Sequence, residues 1–93
     1  MALQRCEPWS QGYPAQGRTV DCAPDRLTVV VDGADADAVA GPWKAAIESK
    51  GFSLVEDGSR EGWVSVRYAD GDQPLVLGAW VQGSRTTVSL VTR

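Results

Sequence analysis

The chain contains no histidine and no asparagine. Without histidine it lacks the commonest general base near neutral pH and the commonest metal-binding side chain. Without asparagine it has no N-glycosylation acceptor. Lysine is scarce too: two lysines and seven arginines stand against twelve acids, for a net charge of −3. The cations are scattered singly, so no basic stripe is present to neutralise phosphates, and a nucleic-acid partner is not expected. An anionic membrane surface is disfavoured on the same ground. No apolar run approaches the roughly 18 residues of a membrane span, so no transmembrane segment is expected. The opening MALQRCEPW lacks the hydrophobic stretch of a signal peptide. It fits either a cytosolic start or a mature exported domain that carries an initiator Met.

Cysteine is confined to Cys6 and Cys22. Two thiols and no histidine fall short of the four ligands of a structural zinc site, so no metal is expected. A redox dithiol usually has the spacing C-x-x-C at a helix start, where the dipole stabilises the thiolate; here fifteen residues intervene. A cysteine nucleophile would lack its usual base. A disulfide between Cys6 and Cys22 fits better. It closes an otherwise irregular loop, and the chain-entropy treatment assigns such a loop about 3 kcal/mol. For a chain of 93 residues, which buries too little surface to be very stable, that is a sizeable contribution. It also points to an extracytoplasmic setting. The preference for arginine over lysine matches GC-rich coding DNA and a bacterial source.

Residues 1–25 are rich in Gly, Pro, Gln and Ser and show neither strand nor helix periodicity. They read as an irregular loop packed on the rest of the chain, because Trp9 and Tyr13 would be costly to leave in water. Residues 26–93 read as one α+β domain. "RLTVVVD" (26–32) is a short β-branched run between Pro24 and Asp32-Gly33, and predicts a strand. "DADAVAGPWKAAIESKGF" predicts the single helix. Ala36, Val39, Trp43, Ala46, Ile47 and Lys50 share one face, Asp35 and Asp37 favour its start, and Gly51 its left-handed end. Pro42 implies either a start after a loose first turn or a kink. Four strands follow, at 52–56, 62–69, 74–82 and 85–92, the last three joined by short turns as an antiparallel meander.

The order loop–β–α–β–β–β–β predicts a two-layer fold, with one helix on one face of a four- or five-stranded, mostly antiparallel sheet. Val64, Val66, Tyr68, Leu75, Leu77, Ala79, Val81, Val88 and Leu90 form the richer apolar face and should meet the helix. The opposite face then carries Trp63, Arg67, Val76, Trp80 and Val91, with Ser65, Thr87 and Ser89 between them. Two tryptophans on the open side of a sheet are unusual unless something covers them. Either the N-terminal loop, with Trp9 and Tyr13, folds over that face, or the face is a recognition surface.

The acids of "DGADAD" fail the calcium-loop pattern, since Ala34, Ala36 and Trp43 fall at ligand positions. They serve the helix start instead. Glu56, Asp57 and Glu61 cluster at a turn without the cleft that a catalytic carboxylate pair needs. Neither catalysis nor a cofactor is expected. The reading is a small exported binding module for a protein or peptide partner, inhibitor-like, with a carbohydrate as a variant ligand. Its surface would comprise Trp63, Trp80, Arg67, Val76, Trp9 and Tyr13. The alternative is a structural or assembly domain of a bacterial envelope protein or lipoprotein that associates through a sheet edge, with 85–92 as the edge.

Overall fold

Alternating apolar and polar side chains, broken by turn residues, divide the chain into six strands and one helix among the residues described by the computed structural model, which are 13–14 and 17–92. Strand β1 (Arg18–Ala23) and strand β2 (Arg26–Asp32) precede helix α1 (Ala36–Ser49). Strands β3 (Ser53–Asp57), β4 (Trp63–Asp70), β5 (Gln73–Gln82) and β6 (Arg85–Val91) follow it. The strands form one sheet in the order β1-β2-β6-β5-β4-β3, and every neighbouring pair is antiparallel.

The α+β class and the single helix layer agree with the sequence pattern, whereas the strand count does not. The sheet has six strands rather than four or five, and it is antiparallel throughout. The additional strand is β1, within the segment read as irregular. A bulge between Thr19 and Asp21 interrupts its alternation, so period 2 does not show in "RTVDCA". Pro24 and Asp25 form the connection to β2, with Pro at the turn position where its fixed φ belongs. The last strand is not an edge: β6 lies between β2 and β5, and the edges are β1 and β3.

Helix α1 starts where Asp35 accepts a hydrogen bond from the Ala38 N–H at 3.1 Å, and ends at Gly51, whose φ is +98°. It continues through Pro42, which faces solvent and has no N–H to offer the preceding turn. Ala36, Ala40, Trp43 and Ile47 are its buried residues; Ala40 joins the stripe expected from the spacing, while Val39 packs at its margin and Lys50 is exposed. The helix rests on β4, β5 and β6. Beneath it lie Val64, Val66, Tyr68, Leu75, Leu77, Ala79, Val88 and Leu90, with Leu27, Val29 and Val31 of β2 in the same core. Thr86 is also fully buried there, because its hydroxyl donates to the Gly33 carbonyl at 2.7 Å.

The described residues measure 36 × 36 × 19 Å, the short axis matching one sheet and one helix with no third layer. Cys6, and with it the expected disulfide-closed loop, lies outside the described residues, as does Trp9. No disulfide joins two described residues. Cys22 pairs across the ladder with Leu27 and packs against the core from β1. No helix among the described residues is long and apolar enough to cross a membrane.

Candidate functional site

Because side chains alternate across a strand, the ladder register fixes which of them share the face away from α1. One row crosses the sheet as Trp63, Trp80, Thr87, Val30 and Arg18. The next row is Ser65, Gly78, Ser89, Thr28 and Asp21, and beyond it come Arg67, Val76, Val91 and Arg26. Four of the predicted binding residues, Trp63, Trp80, Arg67 and Val76, therefore meet on β4 and β5.

Trp63 and Trp80 are directly opposite each other and stack, with ring centroids 5.7 Å apart and planes inclined by 26°. Trp63 is 52% exposed and Trp80 half-buried. The inner ring has a specific seat: a Cβ built on Gly78 would lie 3.4 Å from Trp80 Cζ3. The bare glycine thus lets the indole lie back along its own strand. Arg67 reaches the edge strand, where its Nη1 lies 3.1 Å from Glu56 Oε1. Both side chains are exposed, so the pair orients the guanidinium without adding much stability.

Tyr13 belongs elsewhere. It stacks on Trp43 of α1 at 5.8 Å and 27°, and the Lys50 ammonium lies 4.8 Å from its ring centroid. Half-burial pushes its hydroxyl pKa up. The chain at Tyr13 therefore packs on the helix side rather than over Trp63 and Trp80. The physical reason is that Trp43 offers an aromatic face on which Tyr13 can stack, so that apolar surface of both rings is removed from water. Tyr13 also borders a second cleft of ≈ 350 Å³ between Lys50, Phe52 and Leu75.

The β3–β4 connection supplies what the periodicity did not show. A cleft of ≈ 430 Å³ opens beside Trp63, lined by Gly58, Arg60, Glu61 and Ser65. Arg60 and Trp63 exchange both backbone hydrogen bonds, at 2.7 and 2.9 Å, with Gly62 at φ +73° in the tight turn between them. Gly58 N–H donates to the Ser65 carbonyl at 2.9 Å, and Ser65 N–H donates to Ser59 Oγ at 3.1 Å. Ser59 N–H donates to Asp57 Oδ1 at 3.0 Å. Hydrogen bonds from Ser59, its side chain first and its backbone second, hold the Asp57 carboxyl below its ordinary range. The turn signal "DGSREGW" was visible in the sequence, but not the side of the sheet to which it brings Arg60 and Glu61.

Charge is distributed unevenly between the layers. Arg18, Arg26, Arg67 and Arg85 stand on the open face by register, while Lys44 and Lys50 belong to the helix and its cap. Three open-face acids balance them locally: Asp21 is 2.7 Å from Arg26, Asp32 is 3.6 Å from Arg85, and Glu56 pairs with Arg67. The face is thus polar, close to neutral, and carries an exposed indole. Among the described residues no group of three side chains is arranged to hold a metal ion. Compared with known protein families, curated proteins and solved structures, the chain matches none.

Proposed function

We propose that this chain is a small exported, non-catalytic binding module whose recognition surface is the open face of the sheet around Trp63 and Trp80. The observation that carries this reading is the stacked pair itself: a 52%-exposed indole held in place by a second one. No described element covers it. Aromatic and arginine side chains dominate binding energy where they serve as rigid anchors, and lysine is depleted at such surfaces. Trp63, Trp80, Arg67 and Val76 supply that composition. Tyr13 contributes from the helix side, where it packs on Trp43.

Export is supported by the chemistry of Cys22. It packs against the core, no free cysteine occurs among the described residues, and Cys6 is the chain's only other cysteine. A Cys6–Cys22 bridge would persist only outside a reducing cytoplasm. Alkylation of the unreduced protein recovered from its native compartment should label neither thiol. Labelling of both removes the support for export.

The binding reading is tested by screening secreted proteins, peptides and glycans against the wild type and Trp63→Ala in parallel. A ligand that loses about tenfold or more in affinity, with the variant still folded at the temperature of the assay, is the expected outcome. Ligands that bind both proteins equally would place recognition elsewhere.

A structural or assembly role remains the second reading, and one observation favours it. Edge strand β3 exposes Leu54 and Val55, at 57% and 58%. Unpaired edges invite strand addition. However, Val55 sits where the β3–β4 register shifts, and Val20 occupies the matching shift on β1. Such bulges spoil an edge as a template. Light scattering at micromolar concentration should therefore report a monomer, and a stable dimer would restore the assembly role.

A further inference from the structure

The cleft beside Trp63 can be characterised more closely, on the premise that the open face is the recognition surface. We propose that it accepts the neutral pyranose ring of a carbohydrate, with the ring's C–H face stacked on the Trp63 indole and its hydroxyls turned to Arg60 and Glu61.

A pyranose is amphipathic in a particular way: one flat side presents C–H groups, and the perimeter presents hydroxyls that both donate and accept. The electron-rich face of an indole suits the first. The cleft supplies the rest from Gly58, Arg60, Glu61 and Ser65, in ≈ 430 Å³ of space. Arg60 offers only donors and the Glu61 carboxylate only acceptors. Neither forms an ion pair with a described residue. A hydroxylated neutral ligand can satisfy both. An anion would be set against Glu61 and a cation against Arg60. An apolar peptide segment would strip water from both charges and return nothing. The local balance of charge therefore selects the neutral, hydroxyl-rich ligand over the protein partner.

The cleft is also built in advance. Trp63 is backed by Trp80 at 5.7 Å, and Trp80 leans into the space left by Gly78. The floor is held by the Gly58–Ser65 and Arg60–Trp63 backbone hydrogen bonds and by the Ser65–Ser59 contact. Little ordering is left to occur on binding, which is what a weakly bound sugar ring requires.

The test is a titration of the isotope-labelled full chain, followed by NMR, with three neutral probes: cellotetraose, maltotetraose and chitotetraose. At least one should cause saturable shifts at the Gly58 and Ser65 amides and the Trp63 indole N–H. The indole N–H of buried Trp43 should stay still and so report that the fold is intact. Trp63→Ala should weaken that binding by about tenfold or more, and Arg60→Gln and Glu61→Gln should each weaken it several-fold. An oligouronate should bind no better than its neutral counterpart. Absence of saturable shifts with all three sugars overturns the proposal, as do shifts confined to residues outside the cleft. A neutral proline-rich peptide run as a control separates the two levels of inference. If it moves the Trp63 resonances where sugars do not, the carbohydrate assignment fails and the open-face reading stands.

Discussion

Strand β4 presents Val64, Val66 and Tyr68 to the helix and Trp63, Ser65 and Arg67 to the opposite side. The first three are almost wholly removed from water, whereas Trp63 and Arg67 are exposed. One backbone thus carries two sets of side chains with different tasks. The helix-facing set buries apolar surface and holds the layers together. The other set leaves Trp63 and Arg67 in water, and Trp63 stacks across the ladder on Trp80 of β5. The same residue type makes the contrast plain. Trp43, on the helix, is 2% exposed and is stacked further by Tyr13. Trp63, on the open face, is stacked on the inner ring of Trp80 and stays 52% exposed. Burial of one and exposure of the other is the contrast on which the proposed recognition surface rests.

The sharpest way to break this comparison is to truncate both tryptophans. Trp43→Ala should cost about 3–5 kcal/mol, enough to unfold much of a small domain at 37 °C. Trp63→Ala should cost about 1–2 kcal/mol, since half of its surface is already in water. Urea unfolding measures both. Equal losses would mean that the Trp63 pair belongs to a core and is no recognition surface.

A second test concerns the approach to β1. Gly17 has φ +87°, and a Cβ there would lie 2.5 Å from the Val30 carbonyl oxygen. Gly17→Ala should therefore destabilise by about 1–3 kcal/mol, through the strained dihedral and the clash together. A loss confined to β1 and β2 in hydrogen exchange would show that this edge opens independently of the helix-covered layer. A uniform loss would make the sheet a single cooperative unit.

These two outcomes differ in how far they could be foreseen. The helix-facing residues of β4, β5 and β6 were legible because period 2 holds within each strand, from Val64 to Tyr68, from Leu75 to Ala79 and from Val88 to Leu90. The meander turns are also short, which leaves little choice of register. Strand β1 was hidden by the bulge at Val20, which shifts its alternation, and by a turn of Pro24 and Asp25 that resembles a loop. The place of β6 could not be read at all. Hydrogen bonding between β2 and β6 joins residues some sixty positions apart, as in Leu27 with Leu90, and no local pattern encodes it. The same holds for Tyr13, whose partner Trp43 is a whole strand pair away. For the candidate site, alternation was enough to bring Trp63, Trp80, Arg67 and Val76 together. Arg60 and Glu61 join them only through backbone bonds in the turn.

The helix-covered core and the β3–β4 turn should also respond to opposite ends of the pH scale. Tyr68 lies under the helix, where burial, with lesser contributions from Glu48 and Asp57, raises its pKa above the ordinary 10.0. The fold binds the neutral phenol, so its contribution is complete below pH 10.0 and declines as pH rises above that value towards the raised pKa. Asp57, at the end of β3, has its pKa lowered chiefly by the hydrogen bonds from Ser59. Its contribution is present above the ordinary value of 3.8 and is lost as pH falls through the depressed one. Alkaline titration should thus destabilise the whole fold, and Tyr68→Phe should flatten that limb. Acid should first loosen residues 57–63, visible as faster amide exchange at Ser59 and Ser65, and Asp57→Ala should produce that loosening already at neutral pH. Acid exchange that rises evenly across the sheet would contradict a local role for the Asp57–Ser59 hydrogen bonds.

The smallest effect on stability should be the most informative about the open face. Gly78 lies mid-strand with an ordinary backbone conformation, so alanine is allowed there and loses less chain entropy on folding, a gain of about 0.5–1 kcal/mol. Against that gain stands the contact its Cβ would make with Trp80 at 3.4 Å, at the near limit of van der Waals contact, so that a small adjustment of the indole is expected. Stability of Gly78→Ala should therefore change by no more than about 0.5 kcal/mol in either direction. The exciton couplet of the Trp63–Trp80 pair in far-UV circular dichroism should weaken at the same time, because it depends on the 26° angle between the rings. Loss of stability with an unchanged couplet would mean that Trp80 is locked in place as part of a core. A weakened couplet at constant stability would show that the orientation of the pair can be altered without cost to the fold, as expected of a surface maintained for recognition.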